Sequence, residues 1–339
     1  MPKAKTIAQL APLFYPFTQL IPLGQLQFGP YTLTKRWQLL YKLAGVAEPT
    51  HLPITYLPTV TAVQFAIQHK LVAPLTSKYY IAIQSSLCLL THASTLISID
   101  ALLQPKQPLQ AVPITVNNGQ ATPNLFIHKT ASIQYCYADT TNGPIYISAS
   151  VQIQAGVCLQ GPLYIGANTI IKMGASLYGN SIIGNNCLVG GEVKNSILMS
   201  YSNKAHHGYL GNSIIGNWCN LGAGTTNSNL KNTAGAITLQ LPTAKLPAGN
   251  KCGMLMGSYS RTAINTSINT GTVIGVCCNL TNTQLSPTVI PNFTWATVGT
   301  PYLLPKLLTH LQAWHTLHHT TLPIQVQKAI TQLYLQQHN

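Results

Sequence analysis

Aliphatic residues recur every six positions through the middle of the chain. Ile147, Ile153, Leu159, Ile165, Ile171, Leu177, Ile183 and Val189 keep this spacing without a break. Four residues after each comes, in most cases, a small or β-branched residue: Val151, Val157, Leu163, Thr169, Ala175, Ser181, Cys187 and Val193. Glycine follows the aliphatic position at Gly166, Gly184 and Gly190. An amphipathic helix cannot hold a strict period of six, and a β-sandwich would show period two with regular hairpin signals. Each hexad instead makes one short strand and one corner. Three hexads close a coil, the aliphatic side chain points into a triangular prism, and each strand edge is satisfied by the next coil. The pattern predicts a left-handed parallel β-helix built from hexapeptide repeats.

After Val189 the frame slips by two and resumes at Ile197, Asn203, Tyr209, Ile215 and Leu221, with Asn203 expected in a core slot. Residues 199–208 carry no coil pattern and read as a loop leaving the prism. Met256, Thr262, Ile268, Ile274 and Leu280 restore the spacing, and Ile127 and Ile133 suggest an opening coil interrupted over 135–146. The ends differ. Residues 1–112 mix a strand-like run at 79–83 with a helical stretch at 33–44, which suggests an α/β unit. Leu304, Leu307, Leu308, Leu311 and Trp314, then Val326, Ile330 and Leu333 after Pro323, follow helical spacing. The expected organisation is mixed α/β and all-β: an α/β domain over 1–112, the β-helix over 113–298 and a helical tail over 299–339.

Composition narrows the chemistry. Charged residues form 6% of the 339 residues, against roughly 25% in an ordinary soluble domain. Only Glu48, Asp100, Asp139 and Glu192 are acidic, so the net charge of +14 reflects missing carboxylates more than added lysines. Chemistry that needs several carboxylates is excluded. The lysines are scattered, with no basic run or aromatic-interleaved stripe, so no nucleic-acid partner is expected. No stretch reaches the roughly 20 apolar residues that span a bilayer, and Pro12 and Pro16 break the opening segment as a secretion signal. No membrane partner is expected, and cytoplasm is the expected location. The eight cysteines include no Cys-x-x-Cys pair and read as reduced structural thiols, several of them inward. His310, His315, His318 and His319 read as packing and solvated positions in the tail, so no metal site is expected.

One run carries candidate chemistry: Asn203 to Gly211, containing Lys204, His206, His207 and Tyr209, followed by Asn220-Leu221-Gly222-Ala223-Gly224-Thr225 and Asn229. A histidine at a β-helix edge can serve as general base for an amine nucleophile, because it titrates near neutral pH. The string His206-x-x-Tyr209-Leu210-Gly211 with Asn220-x-Gly222-Ala223-Gly224-Thr225 and Asn229 resembles the acetyltransferase half of the bacterial bifunctional enzymes that make UDP-N-acetylglucosamine from glucosamine 1-phosphate. The runs Lys172 to Ala175, Gly190 to Ser196, Asn229 to Asn232, Thr262 to Thr266 and Asn269 to Val273 resemble more closely a Bacteroidetes-type branch of sugar nucleotidyltransferases.

The resemblance implies a homotrimer with the acyl site between neighbouring prisms, and sugar phosphate, nucleotide and CoA substrates. It implies that His206 takes a proton from a sugar amine attacking acetyl-CoA. Tyr209, Asn220 and Asn229 would bind sugar or order the nucleophile, and Lys194 or Lys204 would contact phosphate. Leu230 and Lys231 stand where the bifunctional enzymes have tyrosine and aspartate. The segment Thr18 to Gly29 resembles the branch's opening motif, which implies that the α/β domain over 1–112 is nucleotidyltransferase-like, with Ile21 and Gln27 in place of arginines, Gln25 in place of an acid and no Gly-x-Gly-Thr-Arg signature. Nucleotidyl transfer would need Mg2+ on carboxylates, for which Asp100 is the only acid in a suitable place, Glu48 reading as part of a loop. Acetyl transfer needs none. The competing class is a non-catalytic trimeric β-helix scaffold or sugar-phosphate binder, and a third reading is an acyltransferase for another amino sugar.

Overall fold

A computed structural model describes residues 124–281, 284–296 and 298–338, together with 15–20, 27, 31–45, 47 and short pieces between 56 and 116. The hexads close into a prism with three walls of parallel strands. The first wall has nine strands, from Leu125–Ile127 to Val289–Ile290, and the second has nine, from Ser132–Ile133 to Trp295–Ala296. The third runs from Ile114–Val116 to Tyr209–Gly211 in six strands, followed by the pair Thr226–Asn227 and Ser267–Ile268. Leu163 faces Ile145 behind it and Ser181 ahead of it, one eighteen-residue coil either way. The eight aliphatic positions from Ile147 to Val189 are all buried in one continuous core. So are Met256, Ile268, Ile274 and Leu280 further on.

The opening coil is not interrupted over 135–146. Cys136–Asp139 forms a third-wall strand between Ile114–Val116 and Cys158–Gln160, with Cys136 and Ala138 inward. Its short inward side chains lack the aliphatic signal that marks the later hexads.

Residues 199–208 do not leave the prism. Asn203–Lys204 is a second-wall strand between Leu188–Val189 and Asn220–Leu221. The coils here are shorter: Ser176 faces Glu192, sixteen residues on, and Leu188 faces Asn203, fifteen on. The frame therefore differs by one from the sequence reading, and the inward slots fall to Leu198, Lys204 and Leu210 rather than Ile197, Asn203 and Tyr209. An inward lysine is what hid this coil, because it removes the apolar signal on which the period is read. The chain does leave the prism between Asn227 and Met254. There the strands Thr238–Gln240 and Lys245–Pro247 form an antiparallel hairpin. Ile237, Leu239 and Leu241 pack with Ile197, Ile214, Leu255 and Val273, which face outward from the first wall.

The corner between first and second walls is turned by residues with positive φ: Asn168 and Asn186, then Tyr201, Trp218 and Tyr259 at 61°, 60° and 64°. Aromatic residues are costly there. Their compensation is stacking along the prism edge: Tyr201 and Trp218 lie 4.3 Å apart and within 2° of parallel, and Trp218 and Tyr259 within 4°. Of the expected α/β unit, most lies outside the described residues. Helix α1 (Leu33–Ala44) forms where expected, with the Thr32 hydroxyl accepting from the Lys35 amide at 3.0 Å and Gly45 in the left-handed region at its end. Tyr56–Pro58 and Tyr80–Ala82 form an antiparallel pair.

The tail covers the aromatic edge with two helices, α2 (Leu304–Leu317) and α3 (Ile324–His338), as the helical spacing predicts. Leu307, Leu311 and Ile330 pack on Tyr259, Val276 and Phe293. No described helix is long and apolar enough to cross a membrane.

Leu177→Ala, at 1% exposure in the stacked core, is expected to cost about 2–5 kcal/mol in urea unfolding, while Ile264→Ala, at 69% exposure, stays within about 0.5; equal losses would mean that the column is not the stabilising unit. His315 is buried, stacked on Trp218 at 3.9 Å and bonded to Thr320 at 2.9 Å. Burial, then the neighbouring His318 and Arg261, hold its pKa below the usual histidine value. The unfolded chain therefore takes the proton first, near pH 6.5, and this group's stability contribution is complete above that pH and declines as pH falls towards the lower folded value. His315→Phe should flatten the decline in Tm between about pH 7 and pH 5; an unchanged slope would count against this.

Candidate functional site

Alternation along a strand decides which side chains reach the outer face of the third wall. With Leu177, Val193 and Leu210 inward, Tyr178, Glu192, Lys194 and Tyr209 face out. Glu192 stands beside Tyr209 and Lys194 beside Gly211. The Lys194 amine lies 5.4 Å from the centre of the Tyr178 ring, a cation–π contact. The Tyr209 ring lies across Gly211, where a Cβ would collide with its hydroxyl and ring. Asn229 then joins the row: its Nδ2 donates to the Tyr209 hydroxyl at 2.9 Å and to Asn212 Oδ1 at 2.7 Å. Burial, followed by the adjacent Glu192 carboxylate, raises the Tyr209 phenol above its ordinary pKa. It is a neutral hydroxyl at physiological pH.

His206 occupies the exposed corner between the second-wall strand Asn203–Lys204 and the third-wall strand Tyr209–Gly211. Among the described residues no hydrogen bond holds its imidazole. Its backbone is held from within: the Lys204 amine donates to the His206 carbonyl at 2.5 Å and to the Gly190 carbonyl, one coil back, at 3.0 Å. Gly191, at φ 68°, makes room, since a Cβ there would lie 2.9 Å from Lys204 Nζ and 2.8 Å from the His206 carbonyl oxygen. Lys204 is 1% exposed, and burial lowers its pKa to about 8.

The fold thus gathers Lys194, Tyr209 and Asn229 on one polar face with His206 at its margin. Lys204 lies inside the prism and not on that face. Asn220 lies on the outer face of the second wall, between Asn203 and Arg261. Tyr178, Glu192 and Asn212 belong to the polar row and escaped the sequence reading. Their outward positions follow from the period, but pairing across coils of unequal length does not. Among the described residues no three His, Cys, Asp or Glu side chains are grouped as metal ligands would be. Asp100 and Glu48 lie outside the described residues. Seven described cysteines are free thiols, six of them buried and Cys158 exposed.

No family model matches the chain, and no curated protein matches its sequence. Among solved structures it is similar to a point mutant of AntD, an N-acyltransferase from Bacillus cereus solved with dTDP and coenzyme A. The identity is 13% and the TM-score 0.18, over 56% of this chain and 81% of that one. A likeness this slight carries nothing about chemistry, and the fold rests on the strand ladders themselves.

The buried amine yields a measurable pH dependence. Between about pH 8 and about pH 10.4 the unfolded chain keeps the Lys204 proton that the folded chain has released, so this group's contribution to stability rises with pH across that window. The stability difference between Lys204→Met and the natural chain should therefore shift by about 3 kcal/mol in favour of the natural chain from about pH 7.5 to about pH 10.5. A constant difference would show that Lys204 is not desolvated.

Proposed function

We propose that the chain is an acyltransferase that passes an acetyl group from acetyl-CoA to the amine of a sugar phosphate. The observation that carries this reading is the bonded row Tyr209–Asn229–Asn212 beside Lys194, with the exposed His206 at its edge. In this reading the sugar amine attacks the thioester carbonyl while His206 accepts the amine proton. The tetrahedral oxyanion then collapses, the C–S bond breaks, and the CoA thiolate takes up a proton. An oxyanion of this kind asks for backbone or amide donors rather than carboxylates, which suits a chain with so few acids. Lys194 meets the substrate phosphate, and Tyr209 and Asn229 hold the sugar. Lys204 acts through the His206 carbonyl as a positioning residue. Asn220 belongs to this site if a neighbouring copy brings its second wall against the third wall of the first, which is the homotrimer that the motif resemblance implies. Glucosamine 1-phosphate is the substrate that the same resemblance favours.

One observation favours the competing reading, a trimeric scaffold or sugar-phosphate binder: no described residue orients the His206 ring, whereas a general base is usually oriented by a hydrogen bond. Thiol release from acetyl-CoA with glucosamine 1-phosphate separates the two. Acyl transfer predicts a rate that falls by about 100-fold or more in His206→Ala and is kept in large part by His207→Ala. Equal background rates in the natural chain and His206→Ala would end the acyltransferase reading. Calorimetric binding of glucosamine 1-phosphate that is lost in Lys194→Ala would then support the binder.

A further inference from the structure

Arg261 stands apart from the site above. It opens the second-wall strand Arg261–Thr262, whose Thr262 occupies an inward slot, so the arginine side chain turns to the outer face. There α2 covers it: the Trp314 ring centre lies 4.7 Å from the guanidinium carbon, and the residue is 7% exposed. Nη1 donates to the Tyr259 carbonyl at 3.2 Å. Nε and Nη2 are buried and, among the described residues, have no hydrogen-bond partner. The carboxylates of the described residues, Asp139 and Glu192, stand on the third wall.

A guanidinium does not escape this by losing its proton, because its pKa lies too far above neutral. Buried charges are matched by a counter-charge and buried N–H groups by acceptors, and the Trp314 face supplies neither in full. The register supplies further donors. Arg261 has Asn220 on one side and Asn279 on the other, in the same outward row, on strands about 4.8 Å apart. Both asparagines are half-buried, and among the described residues neither side-chain amide has a hydrogen-bond partner.

We propose that Arg261, flanked by Asn220 and Asn279, is a receptor for a small oxyanion held beneath α2. The planar fork of Nε and Nη2 matches two oxygens of one anion, and an amide on each side reaches the others. Phosphate, sulfate and a carboxylate share this chemistry, and a halide offers no second oxygen for the fork. Because the two free nitrogens are enclosed, a small free anion suits the site better than a bulky sugar ester. The site uses none of His206, Lys194, Tyr209 and Asn229, and shares only Asn220 with the acyl-transfer reading, so Arg261 and Asn279 test it separately.

The test is calorimetric and thermal titration of the full chain with inorganic phosphate, glucosamine 1-phosphate and chloride at matched ionic strength. Phosphate is expected to bind saturably and raise Tm to a plateau, and chloride to give only the shallow, non-saturating change of a bulk salt. Arg261→Met should lose the saturable part while keeping the shallow one. Asn279→Ala, at a half-buried position that leaves the guanidinium in place, should weaken phosphate binding about tenfold and reads the site even if Arg261→Met does not fold. Saturation by glucosamine 1-phosphate that Arg261→Met abolishes would overturn the free-anion assignment in favour of a phosphate ester. No saturable phosphate binding, or the same binding in Asn279→Ala and Arg261→Met as in the natural chain, overturns the proposal.

Discussion

Contact between each inward side chain and its equivalents one coil before and after holds this molecule together. Ile165 has Ile147 behind it and Ile183 ahead, and Leu159 lies between Ala138 and Leu177 in the same way. Backbone donors and acceptors are satisfied by the same neighbours, so side-chain packing and ladder bonding cannot be changed separately. A slip of one residue would turn an entire strand inside out. Outside the excursion between Asn227 and Met254, the prism nevertheless accepts coils of fifteen to twenty-two residues, because corners absorb the difference while walls keep register.

The three outer faces are treated differently, and that places the polar site. The excursion between Asn227 and Met254 returns as a hairpin over the first wall, where Ile182, Ile197 and Ile214 face outward. The tail helices close over the edge between first and second walls and over Arg261. Among the described residues no helix or hairpin packs on the outward side of the third wall between Ser176 and Gly211. It keeps its tyrosines, lysine and glutamate at the surface, and it is where Asn229 arrives to bond Tyr209.

Scarcity of carboxylates changes the meaning of the buried cations. Lys204 is accommodated by carbonyl oxygens of two successive coils, which neutralise nothing but accept two hydrogen bonds from its amine and tie the His206 corner to the coil before it. Arg261 has one carbonyl and an aromatic face. The contrast follows from position: the interior of a corner presents converging carbonyls, whereas the outer face of a wall presents only side chains, since its backbone groups are already committed to the ladder.

Periodicity in sixes was enough to read the β-helix, its inward positions from Ile147 to Val189 and the resumption at Met256, because each hexad meets its neighbours at fixed short separations, and helical spacing was enough to read the tail. The same reasoning failed at Cys136–Asp139, where the inward side chains are short, and at Asn203–Lys204, where one is charged; a pattern read from hydrophobicity is blind to a slot that is not filled by an aliphatic residue. The candidate site was half legible. His206, Tyr209 and Asn229 stood out within one run and Lys194 came from the motif resemblance, but which of them share a face depends on coil lengths of sixteen and seventeen that only the closed ladders set. The placing of Asn220 against Arg261, forty-one residues later, and of Trp314 over that arginine, was decided by tertiary structure alone. No local period spans an excursion out of the prism or the return of a terminal helix onto its edge, and it is the packing of those elements that fixes what each outer face can bind.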